Sequence, residues 1–122
     1  MRGRIGKVSK MFRQFFRTPS VPEVDVSQTV DARANGTHQI VDVRERDEWA
    51  EGHIPGSTLI PLGELAARVD ELEPDKPVIA VCHSGQRSQT AVEILQAAGL
   101  KDAASMAGGV VDWARAGQPL ER

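Results

Sequence analysis

One cysteine, Cys82, serves a chain of 122 residues. A lone cysteine excludes an intramolecular disulfide and any cysteine-rich metal site, and it fits a reducing, cytoplasmic setting. Long apolar runs are also missing. None approaches the ~18 residues that a membrane-spanning helix requires. Internal repeats are absent. The net charge of -2 is too small to mark a nucleic-acid binder or an unusually acidic protein. What remains is ordinary for a globular chain, with 40% hydrophobic and 26% charged residues. Its length suits one core that buries about 65% of the unfolded surface.

The small net charge conceals an uneven distribution. Residues 1–18 hold Arg2, Arg4, Lys7, Lys10, Arg13 and Arg17 and no acid, leaving nine basic residues against all 17 acids in the remainder, a net of -8. An acidic body is a poor match for DNA, which needs a positive face. Within the tail, Met11, Phe12, Phe15 and Phe16 are interrupted by Arg13 and Gln14, unlike the continuous apolar stretch of a secretory signal. Phe12, Phe15 and Phe16 fall at i, i+3 and i+4 and would share one helical face. Residues 1–20 therefore read as a basic extension, flexible or amphipathic, suited to weak contact with an anionic membrane or a partner through residues 1–18. Thr18-Pro19-Ser20-Val21-Pro22 marks the boundary, and residues 21–122 read as the domain.

In the body, strand and helix signals alternate. Val24–Val26 predicts a short strand, with Ser27 capping a helix that Asn35-Gly36 ends. The β-branched stretch Gln39–Val43 predicts a second strand, followed by a short helix over Glu45–Ala50 that Gly52 stops. Ile54-Pro55-Gly56 is a turn and Thr58–Ile60 an extended piece. Leu62, Leu65, Ala66 and Val69 trace an amphipathic helix. Val78–Val81 is apolar throughout, as expected of a central strand buried on both faces. A helical stripe through Ala91, Val92, Leu95 and Ala98 ends at Gly99. Ala103–Met106 predicts the last strand, and Val110–Ala116 a closing helix that carries Trp113. The fold class is α/β with a mostly parallel sheet.

Sites in such sheets form at the carboxyl ends of strands, which is where Cys82 stands. Between Val81 and the helix opened by Ser88 runs Cys82-His83-Ser84-Gly85-Gln86-Arg87, with Gly85 where an unusual backbone angle is easiest. A loop of this kind can turn successive amides toward its centre and form an anion-binding nest. The helix N-terminus adds partial positive charge and Arg87 a full one. All three favour a thiolate at Cys82. An isolated cysteine at a strand end is most simply a small buried hydrophobe, but a structural cysteine needs no arginine five residues on.

Four motifs in order make a resemblance plain. Cys82–Ser88 resembles the active loop of single-domain rhodaneses. Asp42-Val43-Arg44 with Glu48-Trp49 matches that family's first signature, and Gly52-His53-Ile54-Pro55-Gly56-Ser57 its second. Gly108-Gly109-Val110 with Trp113, Gly117 and Pro119 matches its ending. The resemblance implies a three-layer fold with helices on both faces of the sheet. It also implies a thiosulfate-type sulfurtransferase that moves sulfane sulfur through a Cys82 persulfide to cyanide or a thiol, without metal or organic cofactor. Residues 83–87 would hold the sulfur through their amides, and Arg87 would orient an anionic donor. His83, Ser84, Gly85, Gln86, Arg87 and Ser88 are thus the expected substrate contacts, with Asp42 and Arg44 supporting the loop. His83 is expected to point to solvent, His53 to satisfy local backbone groups, Trp49 and Trp113 to pack, and Ser88 to cap its helix. Two other readings remain open. A relay module would carry sulfur between protein partners through the same cysteine. A phosphatase or arsenate reductase on a related scaffold is disfavoured, because four residues separate Cys82 from Arg87 where the related cell-cycle phosphatases have five. A second cysteine for reductase chemistry is also missing.

Overall fold

The computed structural model describes residues 21–122; the expected basic extension, with its phenylalanine face, lies outside the described residues. Five strands form one sheet: β1 (Glu23–Val24), β2 (Gln39–Asp42), β3 (Thr58–Leu59), β4 (Val78–Val81) and β5 (Ala103–Met106). Their spatial order is β1-β5-β4-β2-β3, and every neighbouring pair is parallel. The connecting helices are α1 (Val26–Asn35), α2 (Arg46–Glu51), α3 (Leu62–Arg68, continued by a 3-10 turn over Val69–Glu71), α4 (Arg87–Ala97) and α5 (Gly109–Arg115).

The apolar run of β4 sits at the centre of the sheet, and all four of its residues are buried. Because side chains alternate along a strand, β4 divides the core in two. Val78, Ala80 and then Cys82 join Leu65 of α3 and Ala91, Val92 and Leu95 of α4 on one face. Ile79 and Val81 join Ala32 of α1 and Trp113 of α5 on the other. The result is the expected three-layer α/β arrangement. It places Cys82 at the carboxyl end of the middle strand, with α4 leaving directly after the loop.

Two local expectations are corrected. The first strand stops at Val24, because Asp25 caps α1 in place of Ser27. The Asp25 carboxylate accepts from the Gln28 amide at 2.8 Å, and the Gln28 side-chain oxygen accepts from the Asp25 amide at 2.9 Å. This reciprocal box satisfies two backbone donors at once, and it leaves Ser27 inside the first turn. The second correction concerns Ser88, whose hydroxyl caps nothing. It lies fully buried inside the first turn of α4, and Gln86 is the cap residue, without a side-chain bond.

Candidate active site

Cys82 is 1% exposed, but its sulfur is turned into the loop. Sγ accepts from the Gly85 amide at 3.1 Å and from the Ser88 amide at 3.3 Å. The Ser88 hydroxyl lies 3.5 Å away. Two converging amides, one of them in the first turn of α4, make this position suited to negative charge on sulfur. The amides of His83, Ser84, Gln86 and Arg87 donate to no acceptor among the described residues. The side chains of His83, Ser84 and Gln86 are exposed, so these residues offer the site their backbone.

The loop holds this shape because α5 is docked on it. Val110 N–H donates to the Cys82 carbonyl at 2.9 Å, and Val111 N–H to the His83 carbonyl at 3.1 Å. In a trans peptide the carbonyl and the following N–H point in opposite directions. Binding these two carbonyls therefore turns the His83 and Ser84 amides away from α5. Such an approach needs glycine at position 109. Its φ is +59°, and a Cβ there would stand 2.3 Å from the His83 oxygen and 2.5 Å from the Cys82 oxygen. Gly85 is constrained similarly, with φ +104° and a virtual Cβ 3.0 Å from the Gly108 nitrogen.

Arg87 is engaged in a way the sequence did not announce. Its two terminal nitrogens donate to the two oxygens of Glu48 at 2.7 and 2.8 Å. Those bonds hold the Glu48 carboxyl down at about 2, despite some opposing desolvation, and push the Arg87 guanidinium up. Glu48 is held from behind by Arg44. The Arg44 Nε and Nη2 grip the buried Asp42 carboxylate at 2.8–3.0 Å. Nη2 also reaches the Gly52 carbonyl at 2.8 Å and Nη1 the Glu48 carbonyl at 3.3 Å. Asp42 and Arg44 thus connect the end of β2 to α2, α2 carries Glu48, and Glu48 holds Arg87.

The remaining motif residues have packing roles. Trp113 is fully buried, and its indole N–H donates to the Pro119 carbonyl at 2.8 Å. Trp49, only partly buried, stacks on His53 with ring centroids 3.5 Å apart. His53 Nδ1 lies 3.0 Å from the Trp49 carbonyl, so that nitrogen carries the hydrogen. Reasoning from sequence missed Glu48 as the partner of Arg87, and it missed Ser105, whose hydroxyl lies 2.7 Å from that of Ser88. The signal for Ser105 was present: it is the one polar residue in Ala103–Met106.

Comparison with known proteins gives the family. The family model for the Rhodanese-like domain matches residues 25–116, and the chain belongs to that family. It is 34% identical to a thiosulfate sulfurtransferase of Pseudoalteromonas translucida, with 74% of this chain and 86% of the relative aligned. A sulfurtransferase of Allochromatium vinosum is 33% identical over 82% of this chain and 94% of its own. YrkF of Bacillus subtilis, which has "sulfur carrier protein" in its name, is 37% identical over 77% of this chain, and the match spans 51% of that longer protein. Among solved structures, a rhodanese-related protein from Thermoplasma volcanium superposes with a TM-score of 0.75 at 31% identity, covering 82% of this chain and 97% of that one. These relatives support a rhodanese role in sulfur transfer or sulfur carriage. No helix among the described residues is long and apolar enough to cross a membrane.

Proposed function

We propose that this protein is a sulfurtransferase that carries sulfane sulfur on Cys82. The observation that bears most weight is the position of Sγ, which accepts from the Gly85 amide in the loop and the Ser88 amide in the first turn of α4. In the first step the Cys82 thiolate attacks the outer sulfur of thiosulfate or a similar donor. A new S–S bond forms, the donor's S–S bond breaks, and sulfite leaves with the bonding electrons. In the second step a thiol or cyanide attacks the terminal sulfur of the persulfide and Cys82 leaves as thiolate. Such two-step covalent chemistry predicts ping-pong kinetics. The uncommitted loop amides are the natural donors to a terminal sulfur. Residues 83–88 would form the binding surface, and Asp42 and Arg44 its support. A reducing cytoplasm fits a free cysteine that must stay reduced.

A relay reading also has an observation behind it. Arg87, the expected docking point for a small anion, already spends two donors on Glu48, which suits a protein donor that needs no free cation. The basic extension over residues 1–20 would then serve partner or membrane contact, and removing it should lower transfer from a protein donor without changing turnover of thiosulfate.

Mass spectrometry after incubation with thiosulfate tests the central claim. The expected result is a gain of about 32 Da, one sulfur atom, on the wild-type chain and none on Cys82→Ser. An unchanged wild-type mass with thiosulfate and with a persulfidated protein donor alike would overturn it.

A further inference from the structure

Below the sulfur lie two hydroxyls, one on Ser88 of the proposed binding surface and one on Ser105, which the transfer chemistry leaves without a part. Ser88 on α4 and Ser105 on β5 are both fully buried. Their oxygens are 2.7 Å apart, and Ser88 Oγ is 3.5 Å from Cys82 Sγ. Ser105 Oγ has Ser88 Oγ as its one hydrogen-bond partner among the described residues. A buried hydroxyl hydrogen without an acceptor is costly, so Ser105 donates to Ser88. The Ser88 hydrogen is then free for its other neighbour, Sγ. A neutral thiol would donate to Ser88 Oγ, but ionised sulfur can only accept, and with Cys82 as thiolate the O–H bonds run in one direction, from β5 through α4 to the sulfur.

We propose that Ser105 is a positioning residue that, by donating to Ser88, fixes the Ser88 hydroxyl as a donor to Cys82 and so favours anionic sulfur there. The inference rests on the reading of Cys82 as a nucleophile. It concerns the thiolate, the form of the site that carries its charge on Sγ. Hydrogen bonds in such a chain polarise one another, which is how Ser105 acts on an atom it does not touch.

Alkylation by iodoacetamide as a function of pH tests this without any sulfur donor. The thiolate attacks the methylene carbon, a C–S bond forms and iodide leaves, so the rate follows the thiolate fraction. Ser88→Ala is expected to slow alkylation about tenfold at pH values below the wild-type midpoint, the loss of one hydrogen bond to a charged atom. Ser105→Ala should slow it about two- to threefold, and the midpoint should move up. In the Ser88→Ala background, Ser105→Ala should have no further effect, because its route to the sulfur is gone. Other charged or titratable groups near the loop are Arg87 with its partner Glu48 and the nearby Glu45, exposed His83, and Asp112 of α5 against Gly108; none is altered in these variants. An unmoved profile in Ser105→Ala, or an equal shift with and without Ser88, overturns the proposal. Ser105→Thr and Ser105→Val make the same comparison at matched shape should Ser105→Ala melt below the assay temperature. Absence of sulfur loading in the wild type, with the alkylation pattern intact, would count against sulfur transfer and leave Ser105 in its role.

Discussion

Arg87 and Glu48 meet across the rim of the loop as a two-pronged ion pair, at 2.7 and 2.8 Å, although 39 residues separate them in sequence. Each is only partly exposed, 35% and 28% at the side chain. Arginine has five N–H donors, so three remain for a ligand after Glu48 is served. The pair is nevertheless neutral as a unit, and an anionic donor meets a carboxylate beside the guanidinium it seeks.

This arrangement predicts opposite effects for the two partners. Arg87→Ala should raise the KM for thiosulfate about tenfold while leaving an already formed persulfide as stable as before. Glu48→Gln should lower that KM about two- to fivefold at low ionic strength, and the gain should shrink as salt is added. Steady-state kinetics at two salt concentrations measures both. A Glu48→Gln enzyme with a KM as high as that of Arg87→Ala would mean that Glu48 serves chiefly to hold the guanidinium in place.

The same pair sets a pH dependence of stability. Glu48 titrates at about 2 in the folded chain against 4.5 for an unconstrained carboxyl. A depressed value means that the native state binds fewer protons than the unfolded one. The contribution is therefore complete above about 4.5 and is lost as pH falls toward about 2. Partial exposure limits it to about 1 kcal/mol. Glu64, held at about 2 by Arg46 and Arg68, acts in the same direction on the surface, so the readout is a difference. Urea midpoints of wild type and Glu48→Gln should converge as pH is lowered through this window.

Gly109 predicts a large effect from one methyl group. In Gly109→Ala the new carbon would stand 2.3–2.5 Å from backbone oxygens of Cys82 and His83, which cannot swing aside as side chains do. Gly36 provides a control, since it has a similar φ of +66° and nothing within 4 Å of a virtual Cβ. Gly36→Ala should cost about 1 kcal/mol, the strain of a left-handed alanine alone. Gly109→Ala should cost at least about 2 kcal/mol more, through displacement of α5 from the loop. Its sulfur loading should fall as well, because the carbonyls of Cys82 and His83 lose their partners. Equal costs at the two positions would show that the loop yields easily.

Much of this was legible in the sequence, and the exceptions share a cause. The alternating apolar patterns located every strand and helix to within a few residues, because burial against a sheet imposes period 2 or 3.6 on the chain itself. Cys82 was found from its place after Val78–Val81 and before a glycine and an arginine. Glu48 was visible in its motif, but its ion pair with Arg87 joins elements that only the tertiary fold brings together. Ser88 was misread as a cap because a serine opening a helix has that local preference. Its neighbour Ser105 is 17 residues away, visible as a lone polar residue in its own strand but not linked to Ser88 by anything in the sequence around Ser88. Asp25 displaced Ser27 as the cap of α1 for the converse reason: Gln28, three residues on, completes a reciprocal box that Ser27 cannot form with it.

Asp42 and Arg44 carry the last prediction. Asp42 is fully buried and Arg44 4% exposed, so removal of one partner strands a charge inside the protein. Arg44→Met should destabilise by about 3–5 kcal/mol in urea unfolding. Asp42→Asn together with Arg44→Met should cost clearly less than the sum of the single changes, because the stranded charge disappears with its partner. Arg44→Lys separates charge from geometry. A lysine keeps the cation but cannot grip Asp42 with two nitrogens while reaching the carbonyls of Glu48 and Gly52. It should therefore fold, lose about 2 kcal/mol, and loosen α2. If α2 sets the position of Glu48, the thiosulfate KM of Arg44→Lys will move away from the wild-type value even at temperatures where the variant is fully folded. A wild-type KM in that folded variant would confine Asp42 and Arg44 to stability and break the connection from β2 to Arg87.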